Sequence, residues 1–319
     1  MDLTEEEKIM ETSGKNKKIE YMVPLDGSAM SKSALTAAKA MAKKRAAGII
    51  LLHVIEKNPP STIHGEKHLT DINEANRYLE KIAEEIRSEN IPVKIHVHPN
   101  REGDVARSIV EHAAEMNPDM VIMCTHGRGG FRGLWYGSIA QQALQLGTWP
   151  ILLIPPAETE SLIEFNPKKI LVPLDGNHDF EPALNEAVPI AKAFGSRMHL
   201  VIVIPTVAKM AGERGTVGKF LPTAARVMLE LAVQGGQDYL AGVAQKCLRS
   251  NLEVTTEVLR GDTVAEILEF AGQMESDLIV MSSHGRTGIS AHLEGSVAHR
   301  VTDRAGIPLL LVKTEEDQA

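Results

Sequence analysis

The residues best placed to do chemistry are Met123-Cys124-Thr125-His126-Gly127-Arg128-Gly129-Gly130, running on to Gly137-Ser138. The apolar run Met120-Val121-Ile122 precedes them, and the helical pattern Ile139 to Leu144 follows. A buried strand therefore ends in a glycine-rich loop that delivers a Gly-Ser pair to a helix start. Unpaired N–H groups and the positive end of the helix dipole make such a place a site for anions. Glycine lets the backbone approach a phosphate without a Cβ in the way. The Ser138 hydroxyl can cap the helix or bond a phosphate oxygen.

The same pattern recurs as Met281-Ser282-Ser283-His284-Gly285, then Gly295-Ser296, and nine residues separate the two glycine positions in both copies. One such loop has the alternative reading of a surface connection without a ligand. Two copies at one spacing point to a nucleotide phosphate site.

The elements that position these loops are duplicated as well. Tyr21 to Gly27 matches Ile170 to Gly176 at a shift of 149, and Val54 matches Val203 at the same shift. From Gly103-Asp104 against Gly261-Asp262 the shift is 158, through Gly137/Gly295 and Pro150/Pro308. The length difference falls between the second strand and the third helix, where 205–236 reads as a longer loop whose Gly212, Gly215 and Gly218 suggest a mobile lid. The domains read as 19–156 and 169–313, with a linker at 157–168 and polar tails at 1–18 and 314–319.

In each copy strands alternate with helices. In the first, a strand over Ile19–Leu25 leads to a helix starting at Asp26 or Ser28 and closed by Gly48. The apolar run Ile49–Val54, a helix near Asn73–Ser88, a strand over Val93–Val97 and a helix capped by Asp104 follow. This order predicts an α/β fold of two tandem doubly wound domains. Each has a five-stranded parallel sheet, order 3-2-1-4-5, with helices on both faces. The ends of the first and fourth strands then neighbour one another at the switch point, where such sheets bind ligands.

Composition excludes other classes. The 319 residues suit two domains, with 43% hydrophobic and 24% charged residues, and the net charge of −8 gives no general drive towards nucleic acid or anionic lipid. No apolar run approaches the ~20 residues that span a bilayer. Glu5-Glu6-Glu7-Lys8 lacks the pattern of a signal peptide, so the reading is cytoplasmic. Cys124 and Cys247 make no disulfide framework or metal cluster. There is no Gly-x-x-x-x-Gly-Lys-Ser/Thr loop and no His-Glu-x-x-His.

Val23-Pro24-Leu25-Asp26-Gly27-Ser28, Leu51-Leu52-His53-Val54 and Thr125-His126-Gly127, with Gly137-Ser138 nine residues on, resemble the universal stress protein family. Val172-Pro173-Leu174-Asp175-Gly176 and Ser283-His284-Gly285 with Gly295-Ser296 carry the resemblance through the second half. The first glycine of the family's Gly-x-x-Gly signature is replaced by Cys124 in one half and Ser282 in the other.

The resemblance implies an ATP-binding stress-response or signalling module, with at most slow hydrolysis. It implies that Asp26 bonds the ribose or adenine side, that Val54 packs by the adenine, and that Gly127, Gly137 and Ser138 hold phosphates. Pro24, Gly27, Met123, Arg128 and Gly130 complete the first set. The matching second set is Pro173, Asp175, Gly176, Val203, Met281, Gly285, Arg286, Gly295 and Ser296. Magnesium enters with the triphosphate near Ser138 and Ser296, and no metal site of protein ligands alone is read. Fifth-strand pairing of the halves, at 151–154 and 309–312, is implied too, along with an unknown protein partner and self-association into dimers. The alternatives are a nucleotide-free scaffold of the same fold and an enzyme acting on an adenylated substrate. Asp26 and Asp175 have the plainer reading of turn residues. His126 and His284 read as loop residues bonded to backbone, because no acid or nucleophile is spaced to pair with them. Glu294, directly before Gly295-Ser296, predicts a weaker second site.

Overall fold

The computed structural model describes residues 18–57, 62–63, 66–67, 69–99, 104–125, 138–156, 164–176, 182–204, 222–283 and 297–313. The first half runs β1 (Glu20–Pro24), α1 (Ser33–Arg45), β2 (Gly48–Ile55), a two-strand hairpin β3 (Thr62–Ile63) and β4 (Glu66–Lys67), α2 (Ile72–Ser88), β5 (Val93–Pro99), α3 (Val105–Met116), β6 (Met120–Cys124), α4 (Ser138–Leu146) and β7 (Ile151–Ile154). The second half runs β8 (Lys169–Leu174), α5 (Pro182–Phe194), β9 (Arg197–Ile204), α6 (Pro222–Leu248), β10 (Val254–Arg260), α7 (Thr263–Gln273), β11 (Leu278–Ser283), α8 (Val297–Thr302) and β12 (Leu309–Lys313).

The strands form one ten-stranded sheet in the order β5-β2-β1-β6-β7-β12-β11-β8-β9-β10. Each half is parallel and keeps the 3-2-1-4-5 order, as the alternation of strands and helices predicts. The halves meet through their fifth strands, antiparallel, with Leu309 opposite Leu153, Leu310 opposite Leu152 and Leu311 opposite Ile151.

Helices cover both faces, so β2 is buried along its whole length, as its unbroken apolar run requires. The core on one face includes Met41 of α1, Leu79 of α2, Ile190 of α5 and Leu240 of α6 together with Leu152 and Leu310. The core on the other face includes Ile109 of α3, Ala143 of α4, Ile267 of α7 and Val301 of α8 together with Ile151, Leu153, Leu309 and Leu311. Strand alternation sends neighbouring residues of β7 and β12 into different cores, and both cores run across the junction of the halves.

Three boundaries differ from the sequence reading. First, α1 starts at Ser33 rather than at Asp26 or Ser28. Ser28 Oγ accepts from the Ser31 N–H at 3.2 Å, and three-residue bonds follow from Lys32 N–H to Ala29 O and from Ser33 N–H to Met30 O. Polar side chains competing for local backbone groups delay the α-helical register. Second, α1 ends at Ala46, in the left-handed region at φ 52°, with the Ala46 and Ala47 N–H groups both donating to Ala42 O. Gly48 instead opens β2, its N–H donating to Ile19 O at 2.8 Å.

Third, residues 222–236, assigned to the lid-like loop, belong to the 27-residue helix α6. Gly235 and Gly236 suggest a loop, but Gly236 serves packing: a Cβ on it would lie 3.2 Å from Ile202 Cγ2 on β9, while one on Gly235 would meet nothing within 4 Å. Gly212, Gly215 and Gly218 lie outside the described residues.

Candidate functional site

The candidate site opens at the carboxyl ends of β1, β2 and β6. After Pro24 the chain stays in the ladder for one residue, Leu25 N–H donating to Leu52 O at 2.8 Å, then leaves it. Asp26 turns back on itself, its Oδ1 accepting from the Ser28 N–H at 2.9 Å and the Ser28 hydroxyl at 2.7 Å. Gly27 sits at φ 92°, a region that side chains rarely adopt, with Leu69 against its open face. The turn-residue reading of Asp26 is thus realised in the structure. A carboxylate has room for more than two donors, so the turn does not use up the group.

His53 holds this loop from below. Its buried ring places Nδ1 2.7 Å from the Leu25 carbonyl and Nε2 3.4 Å from that of Leu69. A carbonyl only accepts, so Nδ1 carries the proton. The Nδ1–H bond ties the end of β1 to β2. At the end of β6, the Thr125 N–H and hydroxyl both donate to Ile154 O, at 2.8 and 3.3 Å. That pins the first residue of the glycine-rich loop to β7.

Between these loops lies a cleft walled by Pro24, Asp26, His53, Val54, Val105, Ile109, Met123, Cys124, Ile139 and Ala140. The walls are mostly apolar. Asp26 and Glu56 bring carboxylates to its rim, and the first turn of α4 closes another side. Burial pushes the Cys124 thiol up to about 12, and the neighbouring charge of Asp26 adds to the rise. Cys124 therefore stays protonated at neutral pH and serves as a small strand-end residue rather than a nucleophile.

Of the first set read from sequence, Pro24, Asp26, Val54 and Met123 come together in this cleft, and Gly27 forms the turn beside it. Ser138 begins α4. The side chain of Ser138 and residues Gly127, Arg128, Gly130 and Gly137 lie outside the described residues, as do Gly285, Arg286, Gly295 and Ser296 and the loop residues His126, His284 and Glu294. In the second half Pro173 and Val203 are half-buried, Met281 is buried, Gly176 repeats the turn at φ 86°, and Asp175 is exposed where Asp26 is half-buried. Ser282 Oγ accepts from the Ala183 N–H at 3.2 Å and so holds the start of α5.

The position matching His53 at the 149 shift is Ile202, whose Cδ1 lies 3.0 Å from where a Gly176 Cβ would be. The sequence reading passed over His53 as a site residue, along with Ile109 and Ile139. A histidine inside an otherwise apolar buried strand is the signal that points to His53.

A doubly wound parallel sheet with a loop-lined cleft at its switch point defines the class of open α/β folds. The particular family follows from comparison. The model of the universal stress protein family matches twice, at residues 19–155 and 166–313. The chain belongs to the universal stress protein family, with two copies in tandem. It is 35% identical over 148 residues to a universal stress protein of Methanocaldococcus jannaschii, across 46% of this chain and 82% of that one. It is 25% identical over 305 residues to one from Mycolicibacterium smegmatis, across 92% and 96%. Among solved structures, a universal stress protein from Archaeoglobus fulgidus superposes with a TM-score of 0.63 at 20% identity, covering 93% of this chain and 99% of that one. A putative universal stress protein from Pseudomonas aeruginosa superposes with a TM-score of 0.67 at 16% identity, covering 94% and 95%. These likenesses establish the fold.

Proposed function

We propose that this universal stress protein binds an adenine nucleotide, ATP, in the cleft of its first half and acts as a nucleotide-dependent stress-response or signalling module of the cytoplasm. Hydrolysis is at most slow on this reading, whole chains self-associate as homodimers, and the module acts on an unknown protein partner. The domains are 19–156 and 169–313. The observation that carries the reading is the convergence of Pro24, Asp26, Val54 and Met123 on one apolar cleft at the switch point. An apolar slot between Val54, Met123 and Ile109 suits the faces of a flat base. The Asp26 carboxylate suits ribose hydroxyls, which are donors. Asp26 and Glu56 repel phosphate, so the phosphates extend the other way, towards the start of α4 and its dipole. Gly127, Arg128, Gly130, Gly137 and Ser138 contact them there, and Mg²⁺ joins beside Ser138 while keeping most of its waters.

The second site, with Asp175, Val203, Gly285, Arg286, Gly295 and Ser296, binds more weakly. Asp175 is exposed, and Glu294 places a carboxylate next to the phosphate-binding pair. Mass spectrometry of small molecules released by denaturing the purified chain is expected to find an adenine nucleotide. ATP titration by calorimetry, with Mg²⁺ and with a chelator, measures both phases. Asp26→Asn is expected to weaken the tight phase about tenfold, the worth of one hydrogen bond to a charged group. A chain that releases no nucleotide and gives no heat with ATP refutes the proposal.

A further inference from the structure

Three histidines of the first half converge although they are split between a strand and a helix. His96 and His98 alternate along β5 and so face the same side, registered opposite Leu52 and Val54 of β2. That side carries Ile109 and Ala113 of α3. His112, one turn after Ile109, points into the same layer and is 5% exposed. Its ring centroid lies 4.5 Å from that of His96 and 4.4 Å from that of His98. One ring nitrogen from each of the three lies within 4.8 Å of the others.

The hydrogen bonding leaves the nitrogens ready for a ligand. His112 Nδ1 is 3.1 Å from Glu115 Oε2. A carboxylate accepts, so Nδ1 carries the proton and Nε2 keeps its lone pair. A carboxylate behind an imidazole is the usual second partner of a metal-bound histidine, because it holds the ring's orientation and raises its basicity. His96 Nε2 is buried without a hydrogen-bond partner among the described residues. Burying such an atom costs free energy, and a cation shared by three imidazoles would offset that cost.

We propose that His96, His98 and His112 form a binding site for a divalent transition-metal ion of the zinc class, with water completing a tetrahedron. Zinc–nitrogen bonds of ~2.0–2.1 Å set the ligand nitrogens of a tetrahedron roughly 3.4 Å apart. The rings need only draw together by about an ångström, and His98, half-buried on an edge strand, has room to turn. Imidazole ligands suit copper and nickel as well as zinc.

The metal would fasten β5 to α3. Val105 and Ile109 of α3, and Val54 opposite His98, line the cleft. Occupancy therefore stiffens one wall of the candidate nucleotide site, though the metal site stands independently of what that cleft binds. Among the described residues the second half has no such set. Val201 and Val203 pair with Glu257 and Leu259 in the register where Leu52 and Val54 pair with His96 and His98. Phe270 holds the position of His112 at the 158 shift. The fold thus accepts an aromatic ring without ligand atoms at that place.

The test uses the full chain, stripped with a chelator, reloaded with Zn²⁺ alone and desalted, with retained metal counted by mass spectrometry and affinity measured by calorimetry. The expected result is one tight zinc per chain and an unfolding transition raised by a few degrees at saturating zinc. His98→Gln and His112→Phe are each expected to weaken zinc at least tenfold and to abolish the thermal shift. Glu115→Gln is expected to weaken it about tenfold. His199→Gln, a histidine of β9 bonded to Thr255 and outside the cluster, leaves binding unchanged. Should His112→Phe fail to fold, the half-buried His98→Gln decides the matter alone. No retained zinc, or equal zinc in the wild type and His98→Gln, overturns the proposal.

Discussion

Truncating Leu310 to alanine tests whether the two halves share a core. Leu310 and Leu152 are both fully buried and sit opposite each other in the antiparallel β7–β12 register. Helix α1 packs over β7 and α5 over β12, so the site is closed above. Leu→Ala removes three carbons, about 2.4 kcal/mol at ~0.8 kcal/mol each. The flanking strands are held by ladders on both sides and cannot collapse into the gap, so a cavity cost adds to this. The expected loss is about 3–5 kcal/mol for Leu310→Ala, and similarly for Leu152→Ala.

Because the two side chains touch across the junction, the double variant should depart from additivity by at least about 0.5 kcal/mol. Urea unfolding followed by circular dichroism reads the losses, and calorimetry reads the cooperativity. Weakening the junction should split one thermal transition into two. Single-variant costs under about 1 kcal/mol, with additivity within ~0.3 kcal/mol, would refute the shared core.

Two further outcomes follow from particular residues. Gly27→Ala should cost more than Gly195→Ala in urea unfolding: both have positive φ, a strain of ~1–2 kcal/mol, but a Cβ on Gly27 meets Leu69 Cδ1 at 2.8 Å while one on Gly195 meets nothing within 4 Å. Glu186 of α5 has its carboxyl pKa raised by burial, with Arg45 opposing and Asp119 adding to the rise. A raised carboxyl pKa gives stability that is full below the unfolded value and lost as pH climbs through the folded one. Glu186→Gln should therefore be near neutral at pH 4 and stabilising at pH 8, and an equal effect at both values would count against that carboxyl's burial.

Much of the fold was legible because its signals are local. Unbroken apolar runs such as Ile49–Val54 mark strands covered on both faces, and the repeat at shifts of 149 and 158 carries the second half along with the first. Asp104 caps α3 as read, its Oδ1 accepting from the Arg107 N–H at 2.9 Å. The meeting of the fifth strands came from family resemblance; nothing in the spacing of the residues implies it. What stayed hidden depends on contacts between elements. Gly236 looks like a helix breaker until Ile202 is set against it. The histidine cluster is invisible in sequence because its members lie on β5 and α3, and only the crossover brings position 112 over positions 96 and 98. A His-x-His pair on a strand, with a third histidine on the inward face of the next helix, was the available signal.

The halves differ in where they bury polar groups, and the cost of burying such groups bears on that difference. The first half keeps an imidazole at position 53, a half-buried carboxylate at Asp26 and three clustered histidines; the second has Ile202, an exposed Asp175 and Phe270 at corresponding places. Buried polar groups destabilise a fold unless partners satisfy them. Apolar residues at the corresponding places of the second half avoid that cost. The second half nevertheless covers an edge of the first. Ile151 to Ile154 are all buried in the intact chain, and β7 has β6 on one side only. Without β12 that strand would be an apolar edge with unpaired backbone groups, which invites aggregation. By covering it, the second half supports the cleft across the sheet whether or not its own loop binds a nucleotide.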